Sequence, residues 1–174
     1  AEYYGGGMWL DYSNPILTNV IISNNIAEHA GGGIRLSNSS PTLINVTIAN
    51  NMGGIYGGGG IYLNSSSPNI VNSIMWGNSP ESIYIGSGTP NITYTNIENG
   101  WIGEGNIDID PQFTDYENND YTLEEDSPCI NAGTEDIDGD GIDDITDYIG
   151  SAPDMGAYEF GESSEIMAGD TNFD

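Results

Sequence analysis

The sequence predicts an all-β fold in which the chain winds as a parallel coil, three short strands to a turn for about three to four turns, ahead of an irregular acidic cap. Three observations carry this. One phrase is repeated, as GGGMWLDYSNPILTNVIISNN from Gly5, GGGIRLSNSSPTLINVTIANN from Gly31 and GGGIYLNSSSPNIVNSIMWGN from Gly58. Aligned on Pro15, Pro41, Pro68 and a degenerate copy at Pro90, the steps are 26, 27 and 22 residues, a period that marks a solenoid. Within each copy apolar and polar residues alternate with period two and β-branched residues abound, which makes the segments strands.

The elements follow in order. Each turn opens on a glycine triplet, where backbone must bend tightly or take positive φ. The first strand reads GMWLD, GIRLS, GIYLN and SIYIG, pointing Met8 and Leu10, Ile34 and Leu36, Ile61 and Leu63, Ile83 and Ile85 inward. The second follows the proline and points Leu17, Leu43, Ile70 and Ile92 inward; the third does so with Ile22, Ile48, Met75 and Ile97. Strands too short for hairpins, recurring once per turn, stack as parallel ladders with like residues about 4.8 Å apart. Asn19, Asn45 and Asn72 fall at the bend between second and third strands, where stacked amides can donate one way and accept the other. They are the expected asparagine ladder. A second column, Asn25, Asn51 and Asn78, ends the third strand.

The outward positions supply candidate contacts. Trp9, Arg35, Tyr62 and Tyr84 form one column on the first strand, with Arg35 placed for cation–π stacking between rings. This is a platform for a sugar or a self-stabilising ladder. Ile21, Ile44, Val71 and Ile74 alternate outward on the other strands and are expected as an apolar, self-associating patch. The first turn, with unpaired strand edges, is the expected end-to-end contact.

Charge divides the chain. Its 27 acids face one Lys or Arg, giving a formal charge of −26, and only Glu2, Asp11, Glu28, Glu81 and Glu98 precede residue 101. Nucleic acid and anionic membrane surfaces need clustered cations and are excluded as partners. No run of 18 apolar residues predicts membrane insertion. The segment DIDGDGIDDITD has the spacing of a calcium loop, with Asp136, Asp138, Asp140, Asp144 and Asp147 at positions 1, 3, 5, 9 and 12 and Gly141 at position 6. Ca²⁺ is the expected cofactor, in an extracellular setting. Cys129 stands alone and is expected to be buried.

Here a resemblance becomes specific. The repeats over residues 1–100 resemble secreted right-handed parallel β-helix proteins, including the polymorphic outer-membrane-protein type. DPQF from Asp110, DYTL from Asp120, SPCINAG from Ser127 and DMGAYEF from Asp154 resemble the block that closes many bacterial surface and secreted proteins of this kind. Asn131 stands where that block usually has Asp. AGDTNFD at the end is similar to the start of a dockerin-like calcium repeat, with Asp170, Asn172 and Asp174 as its first ligands. The implied organisation is a β-helix over 1–100, a cap with the calcium loop over 101–160, and a linker and tail over 161–174.

Catalysis is not expected. The lyases of this resemblance need cationic groups on one face, and between residues 12 and 80 the only acid is Glu28. No HExxH or GxSxG motif is present. The expectation is a non-enzymatic extracellular structural or adhesive protein of a bacterial cell surface or secreted assembly, associating with itself, even into a fibre. The alternative is a carbohydrate-binding or polysaccharide-active β-helix using the Trp9–Tyr84 column, with glycans as partners.

Overall fold

The computed structural model describes residues 4–161. Strands β1 (Met8–Asp11), β2 (Ile16–Ser23), β3 (Ile34–Ser37), β4 (Thr42–Ala49), β5 (Ile61–Asn64), β6 (Asn69–Val71), β7 (Ile74–Trp76), β8 (Ile83–Ile85), β9 (Asn91–Thr93) and β10 (Asn96–Ile97) wind as the coil. A hairpin, β11 (Phe113–Asp115) and β12 (Asp120–Leu123), follows it. One parallel sheet runs β1-β3-β5-β8; the other runs β10-β7-β4-β6-β9, with β2 also paired to β4. Like falls on like, as Met8 on Ile34 on Ile61 on Ile83 and Leu17 on Leu43 on Ile70 on Ile92.

Second and third strands are separate only in the later turns. In the first two they merge into the eight-residue β2 and β4, whose ladder holds on both sides of Asn19 and Asn45. The bend survives in the backbone: Asn19, Asn45 and Asn72 have φ of 55°, 51° and 49°. Asparagine tolerates this left-handed conformation better than other side-chain-bearing residues. Further left-handed corners recur at Gly5, Gly31 and Gly58, at Tyr12, Asn38 and Ser65, and at Asn24, Asn50 and Gly77. The last column explains the NN, NN, GN endings of the phrase: the first residue turns, the second hydrogen-bonds. In the triplet, Gly31 is required by φ, whereas a Cβ on Gly32 would lie 2.5 Å from the backbone of Met52. Coil packing against coil therefore forbids a side chain there.

The interior is the predicted one. Ile34, Leu36, Leu43, Val46, Ile48, Ile61 and Leu63 are fully buried in one cluster with Ile70, Met75, Ile92 and Ile97, each such side chain contributing about 1.5–3 kcal/mol. Ile85 differs: it is exposed, since no strand follows it in the first sheet.

The larger departure is the cap. It does not simply close an end but folds back along the flank of the coil. Phe113, Tyr121, Leu123, Cys129 and Met155 bury themselves with Ala49 and Ile74 in a second core, against which Ile21 and Trp76 also pack. Of the expected self-associating patch, Val71 and Ile74 are fully buried, Ile44 is 9% exposed and Ile21 is half-buried. These aliphatic side chains are satisfied within the chain, so they form no exposed lateral interface.

Candidate functional site

The first sheet presents its outward column as expected. Trp9, Arg35, Tyr62 and Tyr84 are in register on β1, β3, β5 and β8. Tyr62 and Tyr84 stack with centroids 5.2 Å apart and planes 9° from parallel. Arg35 lies between rings, but the rings are Tyr4, 3.9 Å from its Cζ, and Tyr62, at 5.0 Å. Trp9 is displaced to an edge contact with Tyr4 at 6.2 Å and is 56% exposed. Tyr4 also meets His29 edge-on, and His29 meets Tyr56. The sequence reading missed Tyr4, His29 and Tyr56. Their signal was present, since each stands one or two residues ahead of a turn-opening glycine column. The result is an aromatic strip with exposed faces at Trp9, Tyr56 and Tyr84.

The asparagine ladder runs one column over from the expected one. Asn51 Oδ1 accepts from the N–H and Nδ2 of Asn25, each at 3.0 Å, and Asn78 Oδ1 accepts from the N–H and Nδ2 of Asn51, each at 3.1 Å. The remaining amide protons go to carbonyls, Asn51 Nδ2 to Ile22 and Asn78 Nδ2 to Ile48, each 2.8 Å. A parallel serine ladder links Ser13, Ser39 and Ser66. Asn19, Asn45 and Asn72 do not bond one another. Asn19 is exposed, Asn45 Oδ1 is buried without a hydrogen-bond partner, and Asn72 is turned to the cap. Its Nδ2 donates to Thr134 O and its Oδ1 accepts the Thr134 N–H. A left-handed backbone directs these side chains away from the stack, which is why the corner column loses the ladder.

In the acidic loop, carboxylate oxygens of Asp136, Asp138 and Asp144 lie within 4.8 Å of one another. Asp140 and Asp147 are not brought into this group. The Asp140 carboxylate accepts from the Ile142 N–H, and Asp147 lines a cleft with Asn19 and Asn45. The Asp136 carboxylate accepts backbone N–H bonds from Gly141, Gly139 and Asp140. These bonds, that from Gly141 foremost, hold its pKa below the usual value. Three converging carboxylates fit a hard cation that takes six to eight oxygens, if several are bidentate or water completes the shell. The dockerin-like residues Asp170, Asn172 and Asp174 lie outside the described residues.

Two buried groups tie the cap. Cys129 is fully buried, its sulfur accepting from Asn96 Nδ2, and burial pushes the thiol up to about 11. Asp154, 1% exposed, accepts from the N–H groups of Asn131 and Phe160, and burial raises its pKa despite those bonds.

Among the described residues no helix is long and apolar enough to cross a membrane. No curated protein and no solved structure matches the chain. Residues 3–121, more than half of the sequence, match the family described as the right handed beta helix region. With its strands stacked in parallel register and its match spanning the whole coil, the chain belongs to the right-handed β-helix family.

Proposed function

We propose that this chain is a non-enzymatic extracellular structural or adhesive β-helix that holds glycan chains along the outer column of its first sheet. The carrying observation is the in-register column of Trp9, Arg35, Tyr62 and Tyr84, exposed at Trp9 and Tyr84, with exposed Tyr56 joined to it through His29 and Tyr4. Four positions at strand spacing extend over about 14 Å, the length of a few linked sugar rings. Aromatic faces suit the apolar faces of such rings. Arg35 is restrained by two tyrosines, so it adds a fixed donor at the centre of the strip. The surrounding charge of −26 favours neutral over polyanionic polysaccharide. Bound Ca²⁺ at Asp136, Asp138 and Asp144 would order the cap and offset part of its self-repulsion.

The test is calorimetry or a glycan array with the intact protein, then Trp9→Ala and Tyr84→Ala. Binding of a neutral oligosaccharide that weakens at least ten-fold in both variants is expected. Binding unchanged in both, or none by the parent, overturns the reading.

Self-association is a second reading, favoured by the first turn. Among the described residues β1 and β2 each pair on one side only, and Met8, Leu10, Leu17 and Val20 are less buried than Ile34, Leu36, Leu43 and Val46 beneath them. At the other end Trp101 packs on the core. Light scattering with millimolar calcium tests it, and a monomer at every concentration removes it.

A further inference from the structure

The seam between coil and cap holds a cleft of about 400 Å³ lined by Trp76, Asp110, Gln112, Phe113, Tyr116 and Glu124. We propose that this cleft binds a primary alkylammonium group, such as a lysine side chain or a small free amine. The argument begins with its walls. Phe113 and Tyr116 stack 5.9 Å apart and 6° from parallel, and Trp76, half-buried at the end of β7, completes the aromatic lining. The arrangement is held from several directions. Tyr116 donates from its hydroxyl to Asn50, Gln112 sits at φ 52° with its N–H on Asp110 Oδ1, and the Glu124 N–H bonds the Gln112 carbonyl. The cleft is therefore built before any ligand arrives.

Its charge selects the occupant. Asp110 and Glu124 are exposed carboxylates at the cleft, and Glu98 lies near enough to Tyr116 to help raise its pKa, after burial and Tyr121, to about 12. The sequence has a single Lys or Arg, and that residue, Arg35, is held between Tyr4 and Tyr62 on the other sheet. No Lys or Arg side chain compensates the cleft, and the single histidine, His29, packs against Tyr4 and Tyr56. A neutral ligand would partly desolvate two carboxylates without compensation, whereas an ammonium meets both carboxylates and aromatic rings. A primary ammonium also uses its N–H donors on Asp110, Glu124 and the Gln112 amide oxygen, which a quaternary one cannot. The volume is that of an ordinary small-ligand pocket.

The test is an NMR titration of the intact protein at physiological salt, following the Trp76 indole N–H, identified by its loss in Trp76→Phe. The probes are n-butylamine, lysine blocked at both ends of its backbone, the equally blocked norleucine, and a neutral disaccharide. Saturable shifts with either amine, none with norleucine or the disaccharide at equal concentration, and at least ten-fold weakening in the Asp110→Asn/Glu124→Gln double variant are expected. If blocked lysine binds at least as well as butylamine, the source is a partner's side chain; if only butylamine binds, it is a free amine. A distant pair, Glu28→Gln with Asp143→Asn, controls for general charge and should change affinity less than two-fold. Equal binding of norleucine, preference for the disaccharide, no shift with either amine, or an equal loss in the distant pair overturns the proposal.

Discussion

Replacing Asn51 by alanine separates the two asparagine columns. Asn51 is 1% exposed and engages four groups, accepting from the N–H and Nδ2 of Asn25 and donating to Ile22 O and Asn78 Oδ1. Truncation leaves those groups without these partners inside the coil. An orphaned buried polar group costs about 1–3 kcal/mol, and two incompletely repaired by water give about 4 kcal/mol in total. In a chain of this size each kcal/mol is worth about 2–4 °C in Tm, so a fall of roughly 12 °C is expected. Asn45→Ala is the comparison. Its Oδ1 has no partner to lose, and its cost is the left-handed backbone at φ 51°, about 1–2 kcal/mol for a residue with a Cβ. Asn45→Gly avoids that strain and should lie within about 1 kcal/mol of the parent. The assay is urea unfolding with the m-value checked for constancy. A cost for Asn45→Ala as large as that for Asn51→Ala, or a cost below about 1 kcal/mol for Asn51→Ala, would refute the assignment of the ladder.

Other outcomes follow from the cap. Calcium at a hundred times its Kd should stabilise the protein by about 2.7 kcal/mol, and Asp136→Asn with Asp138→Asn should abolish the shift; an identical Tm in chelator and in calcium would remove the site. The raised pKa of Asp154 means the folded state binds its proton more tightly, so its contribution is full below the unfolded value and is lost as pH rises through the folded one. Asp136, whose pKa is lowered, contributes above the unfolded value and loses that as pH falls. Melting followed upward in pH from the ordinary carboxylate range should therefore show a downward component that Asp154→Asn removes; an unchanged profile would contradict it. With its thiol pushed up to about 11 and fully buried, Cys129 should resist iodoacetamide at neutral pH until urea opens the cap. Rapid labelling of the native protein would show the cap to be loose.

Much of the coil was legible because its physics repeats. Inward aliphatics at Ile34, Leu36 and Leu43 recur at fixed offsets, and the outward Trp9–Tyr84 column came with them in register. Two things were less visible. Left-handed φ at Asn45 is a property of backbone, and period-two counting places its side chain in a stack that the corner breaks. The lateral cap was misread because an outward apolar residue has the same pattern whether bare or covered. A subtler signal lay in the columns. Ile44 and Val71 are flanked by Thr18 and Thr93, and Ile21 and Ile74 share a column with Thr47 and Asn96. The last two polar members hydrogen-bond the cap, Thr47 Oγ1 accepting from the Ala157 N–H and Asn96 Nδ2 donating to Ile109 O and Cys129 Sγ. Polar residues set among apolar ones in an outward column mark where a covering segment makes its hydrogen bonds. In the loop, spacing found the three converging aspartates but could not show that Asp140 and Asp147 turn elsewhere.

The residues after the coil reach Asn24 through Asn119 and Tyr121, Asn50 through Tyr116, Asn72 through Thr134 and Asn96 through Cys129. Those four asparagines belong to successive storeys. Repeating folds ordinarily melt as a row of semi-independent units, each aware only of its neighbours. A strut bolted to every storey couples the whole stack at once, so this one should come apart in a single step, and removing one repeat would leave the strut the wrong length for the building.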